Sequence, residues 1–475
     1  MTTPVQTTYK IIPPTSRFAS LIATQTIVQI PSFTLESGLE IRDVPVAYKT
    51  WGRLNERKDN CMVICHALTG SADVDDWWGP LMGPGKAFDP SRYFIFCANV
   101  MGSPYGSFSP VTTNPDTGKP WGPECPLTTA RDDVRIHKVV LDSLGVNSVA
   151  AVIGGSMGGM TTLEWPMNTP PGFVRNILPL ATSARHSAWC ISWGEAQRQS
   201  IYSDPAYMDG YYADDAQPAF GLAAARMTAL LTYRSRDSFE TRFGRKTQGG
   251  LASGSIEVGA RPESPVSPGA GDDAFNIHND GHKGKKARGT DSPLTGATPG
   301  PTPTVFSAQS YLRYQGEKFT NRFDANCYIH LTRKMDTHDL ARPHLSSPTS
   351  TSAPPPLSLP TTTPESTLAG VLSRLPANAL VIGVATDGLF TIQEQRDLAG
   401  HIPQAELVVI PSPDGHDGFL LEFEVINEAA SGWLKKRLPE IYEGEPLMKG
   451  EETEGFKAQK ESLFGEAEGE DVSRW

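Results

Sequence analysis

Short apolar runs recur along the chain, and small or polar residues bound each of them. Most are rich in β-branched side chains and too short for a helix, which is typical of buried strands. The predicted strands are residues 27–30, 33–35, 46–52, 61–65, 93–97, 149–153, 174–180, 379–385 and 407–410. Residues 131–144 repeat apolar positions at a period near 3.6, which predicts a helix ending at Gly145. Strands that alternate with helices indicate an α/β fold with a mostly parallel central sheet.

The strand pattern disappears between about residues 187 and 243, where the apolar spacing becomes helical. Helical spacing returns at 306–335, so we expect a helical insertion that forms a cap or lid over the sheet. The predicted organisation is a core at 1–185, a cap at 186–340, a linker at 341–368, a second part of the core at 369–442 and a tail at 443–475.

Three segments differ in composition from the rest of the chain. Residues 246–304 are rich in Gly, Pro, Ser and charged side chains, so they cannot bury enough apolar surface to offset the entropy of ordering. We predict a disordered insertion within the cap. Residues 341–368 are rich in Pro, Ser and Thr, which is typical of a low-complexity linker, and the acidic residues 443–475 are predicted to be a flexible tail.

Charge and cysteine content limit the possible functions. The 475 residues carry a net charge of −11 at pH 7, which argues against nucleic acid or an anionic membrane as a partner. The six cysteines lack C-x-x-C spacing, so we expect reduced thiols, no metal site and a cytoplasmic protein. The absence of acidic residues before Glu36 is a feature of transit peptides, but strand-like alternation from residue 27 favours a cytoplasmic start to the fold.

A G-x-S-x-G pattern connects the predicted strand at 149–153 to a predicted helix that begins at Met160. This context is typical of a nucleophile elbow, in which Ser156 projects above the carboxyl end of the strand. The N–H of Met157 then points to the place where an oxyanion forms. The alternative is a glycine-rich turn that carries a serine with no catalytic role.

Two late loops supply the partners that a nucleophilic serine needs. Asp387 follows the predicted strand at 379–385, and His416 follows the strand at 407–410. The chain order Ser, Asp, His is the one expected for a serine nucleophile elbow, and we predict these three residues as the catalytic triad. Leu68, in the loop after an early strand, is the candidate for the second oxyanion N–H, and nearby His66 is predicted to order that loop.

The sequence closely resembles the homoserine O-acetyltransferases of the α/β-hydrolase superfamily, in particular the fungal enzymes of methionine biosynthesis. The matching segments are residues 64–70, 154–160, 195–199, 232–235, 311–316 and 322–326. The resemblance implies an α/β-hydrolase fold and Ser156, Asp387 and His416 as the triad. It also implies that Arg226, Tyr233 and Asp417 hold the amino-acid substrate. The family commonly has alanine after the His-Asp pair, where this chain has Gly418, a small-for-small change.

This resemblance implies transfer of acetyl from acetyl-CoA to L-homoserine through an acetyl-serine intermediate, with ping-pong kinetics. It also suggests a homodimer formed through the cap helices. Because the chain has no dinucleotide or phosphate-loop pattern, we expect acetyl-CoA to act as a co-substrate and no cofactor to be tightly bound. The alternatives are an acyltransferase that uses serine or deacetylcephalosporin C, a plain serine esterase and a non-catalytic binding protein. The residues do not discriminate an acetyl from a succinyl donor.

Overall fold

The apolar runs form one central sheet in the computed structural model, which describes residues 8–248, 278–282, 305–342, 365–376 and 378–449. The strands within these ranges are β1 Lys10–Ile11, β2 Thr26–Thr34, β3 Glu40–Trp51, β4 Cys61–Cys65, β5 Phe94–Ala98, β6 Val149–Gly155, β7 Ile177–Leu180, β8 Thr247–Gln248, β9 Val305–Phe306, β10 Leu380–Val384 and β11 Glu406–Ile410. The predicted strands at 27–30 and 33–35 are one continuous strand, β2.

The sheet has nine strands in the order β1-β2-β3-β5-β4-β6-β7-β10-β11. Its first strands pair antiparallel, and the six strands from β5 to β11 in this order are parallel. The strand before Ser156, β6, is therefore flanked by parallel neighbours, and loops at their carboxyl ends meet at one edge of the sheet. The register pairs Leu180 of β7 with Ile382 of β10, which joins two distant parts of the chain.

The helices cover the sheet and form the insertion between β7 and β10. Those in the described ranges are α1 Val74–Trp78, α2 Ala130–Ser143, α3 Met157–Glu164, α4 Ala188–Tyr202, α5 Ala219–Tyr233, α6 Arg236–Arg242, α7 Ser307–Arg322, α8 Ala325–Asp336, α9 Glu365–Leu372, α10 Ile392–His401, α11 Gly418–Leu421, α12 Phe423–Arg437 and α13 Pro439–Tyr442. No helix among them is long and apolar enough to cross a membrane. The helix α3 begins three residues earlier than the predicted start at Met160.

Side chains on both faces of the sheet are buried, which explains why its central strands are apolar without alternation. Val63 of β4 belongs to a cluster that includes residues of α2 and α10, whereas the adjacent Ile64 belongs to a cluster with residues of α1 and α12. A third apolar cluster joins Met157 and Met160 of α3 to residues of α4, α5, α7 and α8. These cap helices therefore pack directly on the serine-bearing turn.

The compositionally unusual segments fall largely outside the described residues. Of the predicted insertion at 246–304, residues 249–277 and 283–304 lie outside the described ranges. The same is true of residues 343–364 in the predicted linker at 341–368 and of residues 450–475 in the predicted tail at 443–475. Where the chain enters and leaves the insertion, β8 and β9 pair as a short antiparallel ladder. The two ends of this segment are therefore held together on the cap.

Candidate active site

Ser156 lies in the turn between β6 and α3 with φ of 58° and ψ of −125°. A positive φ is unusual for a residue with a side chain and costs energy that the surroundings must offset. Backbone contacts hold this conformation, because the N–H of Ser156 donates to the carbonyl of Leu180 at 3.0 Å and its carbonyl accepts from Thr182 Oγ1 at 2.7 Å. The predicted nucleophile elbow is therefore present, with Ser156 only 6% exposed.

Glycines around the serine allow elements to approach more closely than a side chain permits. A Cβ on Gly158 would lie 2.1 Å from the carbonyl oxygen of Cys65, at the end of β4. One on Gly155 would lie 2.4 Å from the ring of Phe419. Gly158 of the G-x-S-x-G pattern thus has a steric basis at the end of β4, and Gly155, at a variable position of the pattern, has one against α11.

Asp387 and His416 are paired as the sequence predicts. The Oδ2 atom of Asp387 lies 2.7 Å from Nδ1 of His416, and both residues are buried. The other oxygen, Oδ1, accepts the backbone N–H groups of Leu389 at 2.8 Å and Phe390 at 2.9 Å. A carboxylate fixed on both oxygens favours the tautomer with a proton on Nδ1, which leaves Nε2 to accept a proton from a nucleophile.

Aromatic rings hold the imidazole of His416 in place. The ring centroid of Phe390 lies 5.2 Å away, that of Phe419 5.0 Å and that of Tyr233 6.0 Å. Since Phe419 also lies against Gly155, one side chain contacts both the histidine and the residue that precedes Ser156. The structure therefore brings the three predicted triad residues to one edge of the sheet.

Leu68 and Met157 lie where the sequence predicts the oxyanion-hole donors. Leu68 lines the same cavity as Ser156, and Met157 is the first residue of α3. Neither backbone N–H donates a hydrogen bond to another group in the described ranges. Two N–H groups without a protein acceptor beside a serine are suited to a transient oxyanion.

His66 supports this loop from behind, as predicted. Its Nε2 accepts the backbone N–H of Val100 at 3.0 Å, and Nδ1 lies 2.8 Å from the carbonyl oxygen of Ala67. Burial lowers the pKa of His66 to about 4, so the ring is neutral at pH 7. Both ring nitrogens of His66 interact with backbone groups, so neither is available to act as a base.

The cap lies over Ser156, and a small cavity of about 40 Å³ remains beside the serine. Its lining residues are Leu68, Ser156, His186, Cys190, Trp193, Gly194, Gln197, Thr232, Tyr233, Thr332, Met335, Asp336 and Leu389. Most of them belong to α4, α5 and α8, so the cap forms the greater part of the wall. The cap therefore restricts access to Ser156, which is only 6% exposed.

The residues implied to hold the amino acid lie close to this cavity, though not all line it. Tyr233 is one of the lining residues, and the guanidinium of Arg226 lies 5.7 Å from its ring and 5.0 Å from that of Phe319. Arg226 is only 2% exposed and is not one of the described residues at the cavity surface. It therefore lies directly behind Tyr233.

Asp417 forms an ion pair that the sequence alone does not predict. Its Oδ2 lies 2.7 Å from Nε of Arg234, and Nη1 of Arg234 lies 2.8 Å from Asp414 Oδ1. One arginine at the end of α5 thus bridges the two carboxylates that flank His416. The signal for this role was its position directly after Tyr233, within a segment that matches the family, but only the fold shows its partners.

The same junction has further contacts between the cap and the histidine loop. Ser235 donates to the carbonyl of Pro413, and Ser238 Oγ donates to Asp414 at 2.5 Å. A Cβ on Gly415 would lie 2.5 Å from the backbone nitrogen of Ser235. No group of three or more His, Cys, Asp or Glu side chains with the spacing of a metal site occurs among the described residues.

Known proteins resemble this chain over most of its length. The alpha/beta hydrolase fold family matches residues 60–423. Homoserine O-acetyltransferase of Cryptococcus neoformans is 57% identical, with 98% of each chain covered. The enzyme of the same name from Saccharomyces cerevisiae is 50% identical over 97% of this chain and 96% of its own. The chain belongs to the homoserine O-acetyltransferase family of α/β hydrolases.

Solved structures confirm the fold. Homoserine O-acetyltransferase from Bacillus anthracis superimposes with a TM-score of 0.66 at 20% identity, covering 86% of this chain and 97% of its own. Esterase E22 has a TM-score of 0.64 at 22% identity, covering 86% of this chain and 99% of its own. Because a transferase and an esterase are equally similar in fold, the residues of the site must carry the argument about function.

Proposed function

We propose that this protein transfers the acetyl group of acetyl-CoA to the hydroxyl of L-homoserine through an acetyl ester on Ser156. The observation that carries the proposal is the Ser156 elbow, with the Asp387–His416 pair beside it, enclosed by a helical cap. The relatives that are 50% and 57% identical over nearly the whole chain bear the name of this activity.

In the first half-reaction, Nε2 of His416 takes the proton from Ser156 as its Oγ attacks the thioester carbonyl. The backbone N–H groups of Leu68 and Met157 stabilise the oxyanion, at a few kcal/mol for each donor in comparable sites. The C–S bond then breaks, and the proton on His416 passes to the departing thiolate. Acetyl-Ser156 and free CoA are the products.

In the second half-reaction, the hydroxyl of homoserine attacks acetyl-Ser156 while His416 accepts its proton. Arg226 is assigned to the substrate carboxylate, which must pass the ring of Tyr233 to reach it, and Asp417 is assigned to the ammonium. Because Asp417 already contacts Arg234, the ammonium shares this carboxylate with a protein cation. The tetrahedral intermediate collapses to O-acetylhomoserine, and Ser156 regains its proton.

Transfer rather than hydrolysis requires that water be kept from the acetyl ester. Water at ~55 M competes with a dilute alcohol, so the acceptor must be oriented and the site enclosed. Ser156 is 6% exposed, and the cap helices form most of the cavity wall, which supports transfer.

Rapid-quench mass spectrometry with acetyl-CoA tests the proposal. We expect one acetyl group on the peptide that contains Ser156, and none in Ser156→Ala. Acetylation of another peptide during turnover would contradict the mechanism.

Thiol release tests the acceptor. It should depend strongly on L-homoserine and much less on L-serine or deacetylcephalosporin C. Equal release with water alone would identify an esterase instead. Replacing acetyl-CoA with succinyl-CoA tests the donor, for which we expect the acetyl group to be preferred.

We further infer a cytoplasmic homodimer without a tightly bound cofactor. All six cysteines are free thiols and five of them are buried, which suits a reducing compartment. Trp189, Phe220 and Leu231 of the cap are exposed apolar side chains that could meet a second subunit. Sedimentation of the purified protein tests the dimer.

A further inference from the structure

Three polar groups of the cavity wall have no hydrogen-bond partner within the described part of the chain. They are Nδ1 of His186, Nε1 of Trp193 and Oδ1 of Asp336, and each of these atoms is buried. His186 itself is only 7% exposed. Buried polar groups in proteins are usually paired, and these three lie together around the cavity that holds Ser156, where a polar ligand can meet them.

The surroundings of Asp336 indicate a neutral ligand group. Its Oδ2 lies 2.8 Å from Nη2 of Arg198, whose side chain is only 2% exposed and also contacts Glu195, a half-exposed residue. The carboxylate therefore already has a cation at contact distance, and its second oxygen is an acceptor for a neutral N–H. Nη1 of Arg198 also has no hydrogen-bond partner among the described residues, so an unpaired donor and an unpaired acceptor lie side by side here, which suits a neutral group that has both.

Gly194 leaves open space in front of this carboxylate. It lies inside α4, where glycine is less favourable than alanine. A Cβ at this position would lie 3.6 Å from Oδ1 of Asp336 and 3.3 Å from Nη1 of Arg198. A side chain here would thus fill the approach to the unpaired oxygen.

We propose that Trp193, Gly194 and Asp336 form a subsite for the amide of the acyl donor nearest its thioester. The Nε1–H of Trp193 donates to the amide carbonyl, and Oδ1 of Asp336 accepts the amide N–H. This inference rests on the proposed function, because the pantetheine arm of a CoA thioester has a secondary amide two methylene groups from its sulfur. A secondary amide is neutral and has one donor and one acceptor, as the subsite requires.

Trp193→Phe and Gly194→Ala test the subsite with three acetyl donors. Acetyl-CoA and N,S-diacetylcysteamine both have the amide, whereas p-nitrophenyl acetate has none. In ping-pong kinetics, kcat/KM for the donor reports the acylation half-reaction alone, and kcat/KM for homoserine reports the second half. Gly432→Ala is the matched control, because Gly432 lies inside α12 and a Cβ there meets nothing within 4 Å.

Trp193→Phe should lower kcat/KM for both amide donors by roughly three- to ten-fold, and Gly194→Ala by ~10-fold. Neither variant should change kcat/KM for p-nitrophenyl acetate, and Gly432→Ala should affect no donor. Thermal unfolding should show that Gly194→Ala remains folded.

Equal losses with all three donors would overturn the inference, as would a loss confined to kcat/KM for homoserine. Failure of the proposed function looks different, since the unmodified enzyme would then show no homoserine-dependent turnover with any donor.

Discussion

The two walls of the cavity differ in how their polar groups are satisfied. On the sheet wall, which consists of the loops that carry Ser156, Asp387 and His416, the acid holds the histidine and two backbone N–H groups. The cap wall is formed by α4, α5 and α8. There, Nε1 of Trp193 and Oδ1 of Asp336 are buried and have no hydrogen-bond partner among the described residues.

This difference assigns the reaction to the sheet wall and substrate recognition to the cap wall. In the proposed mechanism the groups of the sheet wall are positioned before any ligand binds, and the N–H groups of Leu68 and Met157 are assigned to a charge that exists only during the reaction. In the proposed donor subsite, the unpaired groups of the cap wall find their partners on the substrate. Esterase E22 and the homoserine O-acetyltransferase from Bacillus anthracis share this fold, so the fold alone does not separate the two reactions.

Breaking the sheet wall should have the largest effect. Asp387→Asn keeps the shape of the side chain but favours the wrong tautomer of His416, so kcat should fall by about 10⁴-fold with every donor. The measurement is steady-state turnover of acetyl-CoA and of p-nitrophenyl acetate. Asp397→Asn, on the exposed face of α10, is the control and should have no effect. A loss restricted to one donor would show that Asp387 acts in binding.

Arg226→Ala should affect the second half-reaction alone. We expect kcat/KM for homoserine to fall about 100-fold because a charge-assisted contact with its carboxylate is lost. Acetylation of Ser156 by acetyl-CoA should continue at nearly its original rate, as measured by quenched-flow mass spectrometry. Arg396→Ala, an exposed arginine of α10, is the control. Unchanged use of homoserine would remove Arg226 from the acceptor site.

Arg234→Gln tests the contact between the cap wall and the loop that carries His416. Asp414 and Asp417 then lose their cation beside His416, and the uncompensated carboxylates favour the protonated imidazole. We expect kcat to fall about ten-fold at pH 7, with the acid limb of the pH–rate profile at higher pH. The neighbouring exposed Arg236→Gln should leave the profile unchanged. A uniform loss at every pH would indicate a structural role alone.

The smallest expected effect is a loss of stability in acid, which arises from the buried histidines. Burial lowers the pKa of His66 to about 4 and that of His330 to about 3, below the ordinary value near 6.5 in the unfolded chain. The unfolded state therefore binds more protons between these values, and the free energy of unfolding falls as pH decreases through that window.

The slope is at most about 1.4 kcal/mol per pH unit for each histidine. Urea unfolding at pH 7, 6 and 5 measures it. His66→Gln should flatten this dependence, whereas replacement of the exposed His401 should not. An identical slope in His66→Gln would contradict the assignment of a neutral buried ring.

Much of this site could be predicted because it depends on short local patterns. The residues around Ser156 specify a strand, a turn and a helix, and parallel topology brings Asp387 and His416 to the same edge. Arg234 and Gly194 could not be assigned in this way, since their meaning depends on how cap helices pack against distant loops. The residues near Arg234 in the sequence do not indicate its contact with Asp417. Those near Gly194 do not indicate that it lies close to Asp336.

The pairing of β7 with β10 has a consequence for synthesis of the enzyme. As the polypeptide leaves the ribosome, Ser156 emerges long before the loop that carries His416. The whole cap is synthesised between them, before β10 can pair with β7. On the proposed mechanism, a truncated or nascent product that lacks His416 has no base for Ser156 and cannot acquire activity.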